Sequence, residues 1–195
     1  MKKYVVKFSF WGAALYLLSC SNNNTGTTNS AATNSTDSAV HAAIDKTKED
    51  TTAAASHDFI LTAARKGLGE VAMAKLAQTN GGSKAVKEYG KMLEKDYSIS
   101  NKKLLAIATA ENITLPATVT DEQTTNITRL QNLKGNNFDK EFIPVVIENH
   151  TQDMVEFKKI IEGNNSQKVK DFAADMLPML QTHLDKAKAL HAAVK

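Results

Sequence analysis

The chain has 195 residues with 24 Lys+Arg against 21 Asp+Glu, and Lys2, Lys3 and Lys7 supply the whole cationic surplus. The remaining body is neutral, so it lacks the excess of cations that a nucleic-acid binder needs to displace phosphate counterions. One cysteine excludes a disulfide framework and a thiolate zinc cluster, and nine Gly with three Pro exclude a collagen-like or glycine-rich fibre.

Residues 1–20 read MKKYVVKFSFWGAALYLLSC: a basic start, an apolar run from about Phe8 to Leu18, and a small residue before cysteine. This is the pattern of a secretory signal peptide, and the run is shorter than the ~20 residues that a membrane-spanning helix needs. Leu17-Leu18-Ser19-Cys20 resembles the lipobox of bacterial lipoproteins. That resemblance implies cleavage before Cys20, lipidation of its thiol, and attachment to a membrane through the acyl chains. The alternative is an ordinary signal peptide that contains a cysteine, but the chain's single cysteine stands at the one position that the motif requires. Ser21-Asn22-Asn23-Asn24 follows with no acidic residue, which by analogy with lipoprotein sorting favours the outer membrane.

Ser21 to Ser56 contains no aromatic residue and only two branched aliphatics, Val40 and Ile44. Such a segment buries too little apolar area to offset its ordering entropy, so residues 20–56 are expected to be a disordered tether. A short helix near Val40–Lys48 is the one structured element it could hold.

From His57 the apolar residues recur with a helical period. The first helix is expected over Asp58–Gln78, capped by Ser56 or Asp58, with the stripe Phe59, Ala63, Gly67, Glu70, Ala74, Ala77. The second covers Ser83–Glu111, with Val86, Tyr89, Leu93, Tyr97, Leu104 and Ala108 inward and Pro116 preventing its continuation. A third, short helix over Asp121–Lys134 starts at a Thr120–Gln123 capping box. The fourth covers Phe138–Glu162, with Phe142, Val146, His150, Asp153, Phe157 and Ile160 on one face. The fifth runs from Gln167 to Val194, capped by Ser166, and turns Val169, Phe172, Met176, Leu180, His183, Ala187 and Leu190 inward. Pro144 and Pro178 fall inside these helices and either kink them or mark a boundary. No segment alternates with period two. The fold expected for residues 57–195 is an all-α antiparallel four-helix bundle with one extra short helix, the Pro116 stretch supplying the long crossover of ferritin-like bundles.

Four polar residues stand on stripes that should face the core: Glu70, His150, Asp153 and His183. Each comes from the middle of a long helix, so they could converge, and imidazoles with carboxylates suit zinc or non-haem iron. The alternative is that they satisfy one another by hydrogen bonds, as buried polar groups must. A di-iron bundle draws a Glu from each of two helices and Glu-x-x-His from the other two, and this chain has no Glu-x-x-His. Gly-x-Gly-x-x-Gly, P-loop, His-Glu-x-x-His and Gly-x-Ser-x-Gly motifs are absent as well, so nucleotide and common hydrolase chemistry lack their scaffolds. No catalytic residue is assigned. His41, His57 and His191 read as solvated, the helical methionines as core filler, Tyr89 and Tyr97 as core aromatics with a polar tip. Lys84, Lys87, Lys91 and Lys95, interleaved with Glu88, Glu94 and Asp96, read as a solvated face.

The order Asp58-Phe59, Gly69-Glu70-Val71, Val86-Lys87-Glu88-Tyr89, Met92, Asp96-Tyr97, Leu115-Pro116, Gly135-Asn136-Asn137-Phe138-Asp139, His150, Leu177-Pro178 and His183-Leu184 resembles domain of unknown function family 4142. The resemblance covers about Asp58 to Leu190 and implies an exported protein with a ferritin-like bundle, without an established activity. Glu70, His150 and His183 match polar positions of the family pattern. Where the family usually shows Asp-His on the second helix, this chain has Asp96-Tyr97, so one imidazole that a family metal site would use is a phenol here.

The reading is a lipid-anchored, periplasm-facing envelope protein, with a non-enzymatic binding or stress-related module as its folded part. The alternative is a mononuclear metal-binding or redox-linked bundle that takes iron or zinc on Glu70, His150, Asp153 and His183. A third option is a bundle whose buried histidines charge on acidification.

Overall fold

The computed structural model describes residues 35–193, with side chains from residue 45 onward. The expected signal peptide, Cys20 and the first part of the expected tether lie outside the described residues. Five helices follow in order: α1 (Ser35–Asn80), α2 (Lys84–Ala110), α3 (Asp121–Gln131), α4 (Gly135–Glu162) and α5 (Gln167–Ala193). Among the described residues no helix is long and apolar enough to cross a membrane.

The contacts fix the topology. α1 and α2 form one antiparallel hairpin, joined by Gly81 to Ser83, and α4 and α5 form a second. Lys66 meets Asp153 and Glu70 meets Asn149, which sets α1 antiparallel to α4. Asp96 meets His183 and Glu111 meets Lys168, which sets α2 antiparallel to α5. α2 and α4 therefore run the same way, and residues 111–134 must travel the length of the bundle between them. That single long crossover is the ferritin-like arrangement, and α3 lies within it against α1 and α4.

Local chemistry explains most boundaries. Ser83 caps α2 by accepting the Val86 N–H at 3.1 Å, and Thr120 caps α3 by accepting the Gln123 N–H at 3.2 Å. The expected capping box at α3 is only half formed. The Gln123 amide reaches instead to the Lys66 carbonyl at 2.8 Å, which ties the crossover to α1. Gly69 makes room for it, since a Cβ there would sit 2.2 Å from the Gln123 side chain. α2 stops before Pro116 is reached. Asn112 adopts a left-handed conformation with φ of 56°, and the Ile113 N–H returns to the Ala108 carbonyl at 2.8 Å in a Schellman closure. Pro144 and Pro178 lie inside α4 and α5, so neither ends a helix.

The largest departure is at the start of α1. The expected helix opens at Asp58, yet α1 begins at Ser35 and spans 46 residues, about 69 Å at 1.5 Å per residue. The part of the expected disordered tether from Ser35 to Ser56 is thus helical. Ser56 is not a cap: it is buried and its hydroxyl accepts the Ser166 N–H at 2.8 Å, while Ser166 caps α5. Periodicity could not reveal this stretch, because residues 45–51 are all exposed and carry no apolar stripe. Alanines such as Ala53, Ala54 and Ala55 favour a helix by propensity alone.

The core has three layers. Near the α4–α5 turn, Phe59, Phe157 and Phe172 form an aromatic triad, with Phe59 and Phe157 edge-to-face at 5.2 Å. Near the α1–α2 turn, Phe138 stacks on Phe142 at 5.2 Å and Tyr89 meets Phe142 edge-on. The Asp139 carboxylate locks that end by accepting the N–H groups of Gly82 and Ser83 at 2.8 and 2.9 Å. Between the two aromatic layers lies a polar one.

A buried polar layer as the candidate functional site

All four inward polar residues expected from the sequence are buried: Glu70 and Asp153 almost completely, His150 and His183 with 0% exposure. Helical periodicity alone puts them there, since each replaces one member of an apolar stripe. The structure sorts them into separate groups.

His150 and His183 come together. His150 Nε2 lies 3.3 Å from His183 Nδ1, and the Tyr97 hydroxyl lies 3.1 Å from His150 Nε2. The far nitrogen of each ring is held by an acceptor. His150 Nδ1 donates to the Val146 carbonyl at 2.9 Å, and His183 Nε2 donates to Asp96 at 3.0 Å. The Tyr97 ring packs against both imidazoles, and the Tyr89 hydroxyl donates to the His183 carbonyl at 2.9 Å.

Asp153 faces another partner. Lys66 Nζ donates to Asp153 at 2.7 Å and to Glu156 at 2.5 Å, so α1 and α4 are clamped at the edge of the layer. Glu70 makes a third group: its Oε1 accepts the Asn149 amide at 2.8 Å, while its Oε2 is a buried oxygen without a hydrogen-bond partner.

Burial decides the charge of these groups. It pushes the Glu70 carboxyl up to about 8, helped by the nearby charge of Asp153, so Glu70 is protonated at neutral pH. Burial also brings His150 down to about 3, with His183 adding to the effect. It lowers His183 too, outweighing the attraction of Asp96, and raises the Tyr97 phenol well above its ordinary range. Asp153 is raised by burial, which Lys66 partly offsets. Burial alone would lower Lys66, but the two carboxylates outweigh it and hold the ammonium above its usual value. At neutral pH the His150–His183–Tyr97 group is therefore an uncharged network flanked by the Asp96 carboxylate on one side and the Lys66 clamp on the other.

The donor set does not fit the dinuclear iron site that a ferritin-like bundle implies. The chain has no Glu-x-x-His, and among the described residues no three His, Cys, Asp or Glu side chains group so as to hold a metal ion. Asp96, Asn149 and Lys66 are partners that sequence reasoning missed. Asp96 sits among alternating charges on the Lys84–Lys95 face, and only its place beside Tyr97 hinted at another role. His57 and His191 are exposed, as expected for solvated histidines, and the side chain of His41 lies outside the described residues.

No curated protein and no solved structure matches the chain. A family model does: Domain of unknown function (DUF4142) matches residues 41–190, which spans nearly the whole of the bundle and part of the helix leading into it. Together with the order of motifs along the five helices, that match means that this chain belongs to the DUF4142 family.

Proposed function

We propose that this is a lipid-anchored protein of the bacterial cell envelope, with Cys20 acylated as the first mature residue and the bundle held at the periplasmic face of the outer membrane. Its folded part is a non-enzymatic binding or stress-related module. The observation that carries the reading is the position of the only cysteine, in Leu17-Leu18-Ser19-Cys20 after a basic start and a short apolar run. The leading part of α1 supports it. Lys48 is already tied to the bundle by the Asn164 amide, so residues 35–47 would place roughly 20 Å of helix between anchor and bundle. The burial of His150 and His183 supports a non-enzymatic module, because imidazoles with 0% exposure offer no face to a bulky substrate.

The test is to express the full chain in a bacterium with two membranes, label it with an alkyne fatty acid, and read the mature N-terminus by mass spectrometry. Acylated Cys20 in the outer-membrane fraction, with label lost in Cys20→Ala, is the expected result. A wild-type chain that is cleaved elsewhere, or that keeps a free thiol at Cys20, overturns the reading.

A second reading, a mononuclear metal-binding bundle on Glu70, His150, Asp153 and His183, is favoured by one observation: the ring nitrogens of His150 and His183 face each other at 3.3 Å.

A further inference from the structure

We propose that His150 Nε2, His183 Nδ1 and the Tyr97 hydroxyl form a mononuclear site for a divalent cation of the zinc class at the centre of the bundle. The proposal rests on the metal reading only for its histidine pair, and it replaces the two carboxylates of that reading with a phenol.

Hydrogen-bond bookkeeping leads to it. The Val146 carbonyl can only accept, so His150 Nδ1 carries the hydrogen and Nε2 offers a lone pair. The Asp96 carboxylate likewise accepts, so His183 Nε2 carries the hydrogen and Nδ1 offers a lone pair. Two acceptor nitrogens thus face each other at 3.3 Å with one hydroxyl proton, that of Tyr97, beside one of them.

The spacing matches a metal. With zinc–nitrogen bonds of about 2.0–2.1 Å, two imidazoles on adjacent corners of a tetrahedron have their nitrogens roughly 3.3 Å apart. The 3.1 Å between the Tyr97 oxygen and His150 Nε2 suits a neighbouring oxygen–nitrogen corner. The outer partners also match, since metal-ligating histidines are oriented by a carbonyl or carboxylate on the far nitrogen, the roles that Val146 and Asp96 fill. Three protein donors leave the fourth corner open, the count found in zinc sites that keep one position for a small ligand. Asp96 is 31% exposed, so the His183 edge of the site stands close to solvent.

The competing arrangement is metal-free, with the Tyr97 hydroxyl hydrogen donated to His150 Nε2. The experiment is a cobalt(II) titration of the full chain in detergent after chelator treatment, read by the visible d–d bands of a four-coordinate ion, followed by zinc(II) displacement. One cobalt per chain is expected, displaced by zinc. Binding should be lost in His183→Ala and weakened in Tyr97→Phe, with Asp96→Asn costing roughly 10–100-fold in affinity. Glu70→Gln and Asp153→Asn should leave it unchanged. Circular dichroism and a zinc-induced rise in melting temperature, seen in wild type and absent in His183→Ala, separate loss of the site from loss of the fold. No saturable uptake by the folded wild type leaves the layer as a metal-free hydrogen-bonded network and overturns both metal readings. Uptake that survives Tyr97→Phe unchanged but falls in Glu70→Gln or Asp153→Asn overturns this ligand set alone.

Discussion

The aromatic layer at the α1–α2 turn and the polar layer at mid-height are built from the same four long helices, yet they are held together by opposite means. Phe138 and Phe142 have 0% exposure and stack on each other, so that layer is fixed by area removed from water and by close packing. His150 and His183 have 0% exposure too, but the far nitrogen of each ring donates to a specific acceptor, and burial keeps the rings uncharged. The difference teaches that equal burial does not mean equal role. The aromatic layer supplies stability. The polar layer costs desolvation and returns a fixed geometry at the centre of the fold.

That contrast can be broken most forcefully at Phe142. Phe142→Ala opens a cavity beside Phe138 and Tyr89, and is expected to lower the unfolding free energy by about 3–5 kcal/mol in urea denaturation. Replacing a member of the polar layer should cost far less, and a conservative change can even stabilise.

Glu70→Gln sharpens the point through pH. The Glu70 carboxyl has its folded value raised from 4.5 to about 8, so its contribution is fully present below 4.5 and is lost as pH rises towards 8. His150 is lowered from 6.5 to about 3, so its contribution is present above 6.5 and is lost as pH falls towards 3. Between pH 6.5 and 8 the Glu70 loss stands apart from the His150 change. Wild-type stability should fall across that window, and Glu70→Gln should gain on wild type by roughly 2 kcal/mol from its lower to its upper end, at about 1.4 kcal/mol per pH unit. Parallel wild-type and variant curves there would mean that Glu70 is ionised in the folded protein.

Tyr97→Phe keeps the ring packed against both imidazoles and removes one buried hydroxyl from His150, with an expected cost of about 1 kcal/mol. The smallest effect belongs outside both layers. Lys91 pairs with Glu88 at 3.0 Å on the exposed face of α2, and Lys91→Ala should change stability by less than about 0.5 kcal/mol, vanishing in high salt. A larger change at Lys91 than at Tyr97 would contradict the ranking.

Much of the fold was legible in the amino-acid pattern. All six inward residues expected on α2 are buried, as are Phe142, Val146, Phe157, Phe172 and Leu180 on the second hairpin. The candidate residues Glu70, His150, Asp153 and His183 were legible for the same reason: a polar residue on an apolar stripe is conspicuous. Their partners were not. Asp96 belongs to a helix face that reads as solvated and Lys66 stands off the apolar stripe of its helix, and nothing in local spacing tells that one will reach His183 and the other Asp153 across the bundle. The start of α1 was illegible because a stretch rich in Ala, Thr and Ser has no apolar period to read, and the end of α2 was attributed to Pro116 although Asn112 ends it four residues earlier.

The sequence by itself therefore determined most of the residues that face inward and how many long helices there are, because helical periodicity is a property of neighbouring residues. Only the tertiary structure decided which buried polar groups meet. Glu70, His150, Asp153 and His183 are equivalent as inward positions on three helices, but the antiparallel registers of α1 with α4, of α2 with α5 and of α4 with α5 give Asp153 to Lys66, Glu70 to Asn149, and His183 to both Asp96 and His150. Register is a property of the whole packed bundle, set by residues as distant as Phe59 and Phe172, and no stretch of sequence contains it.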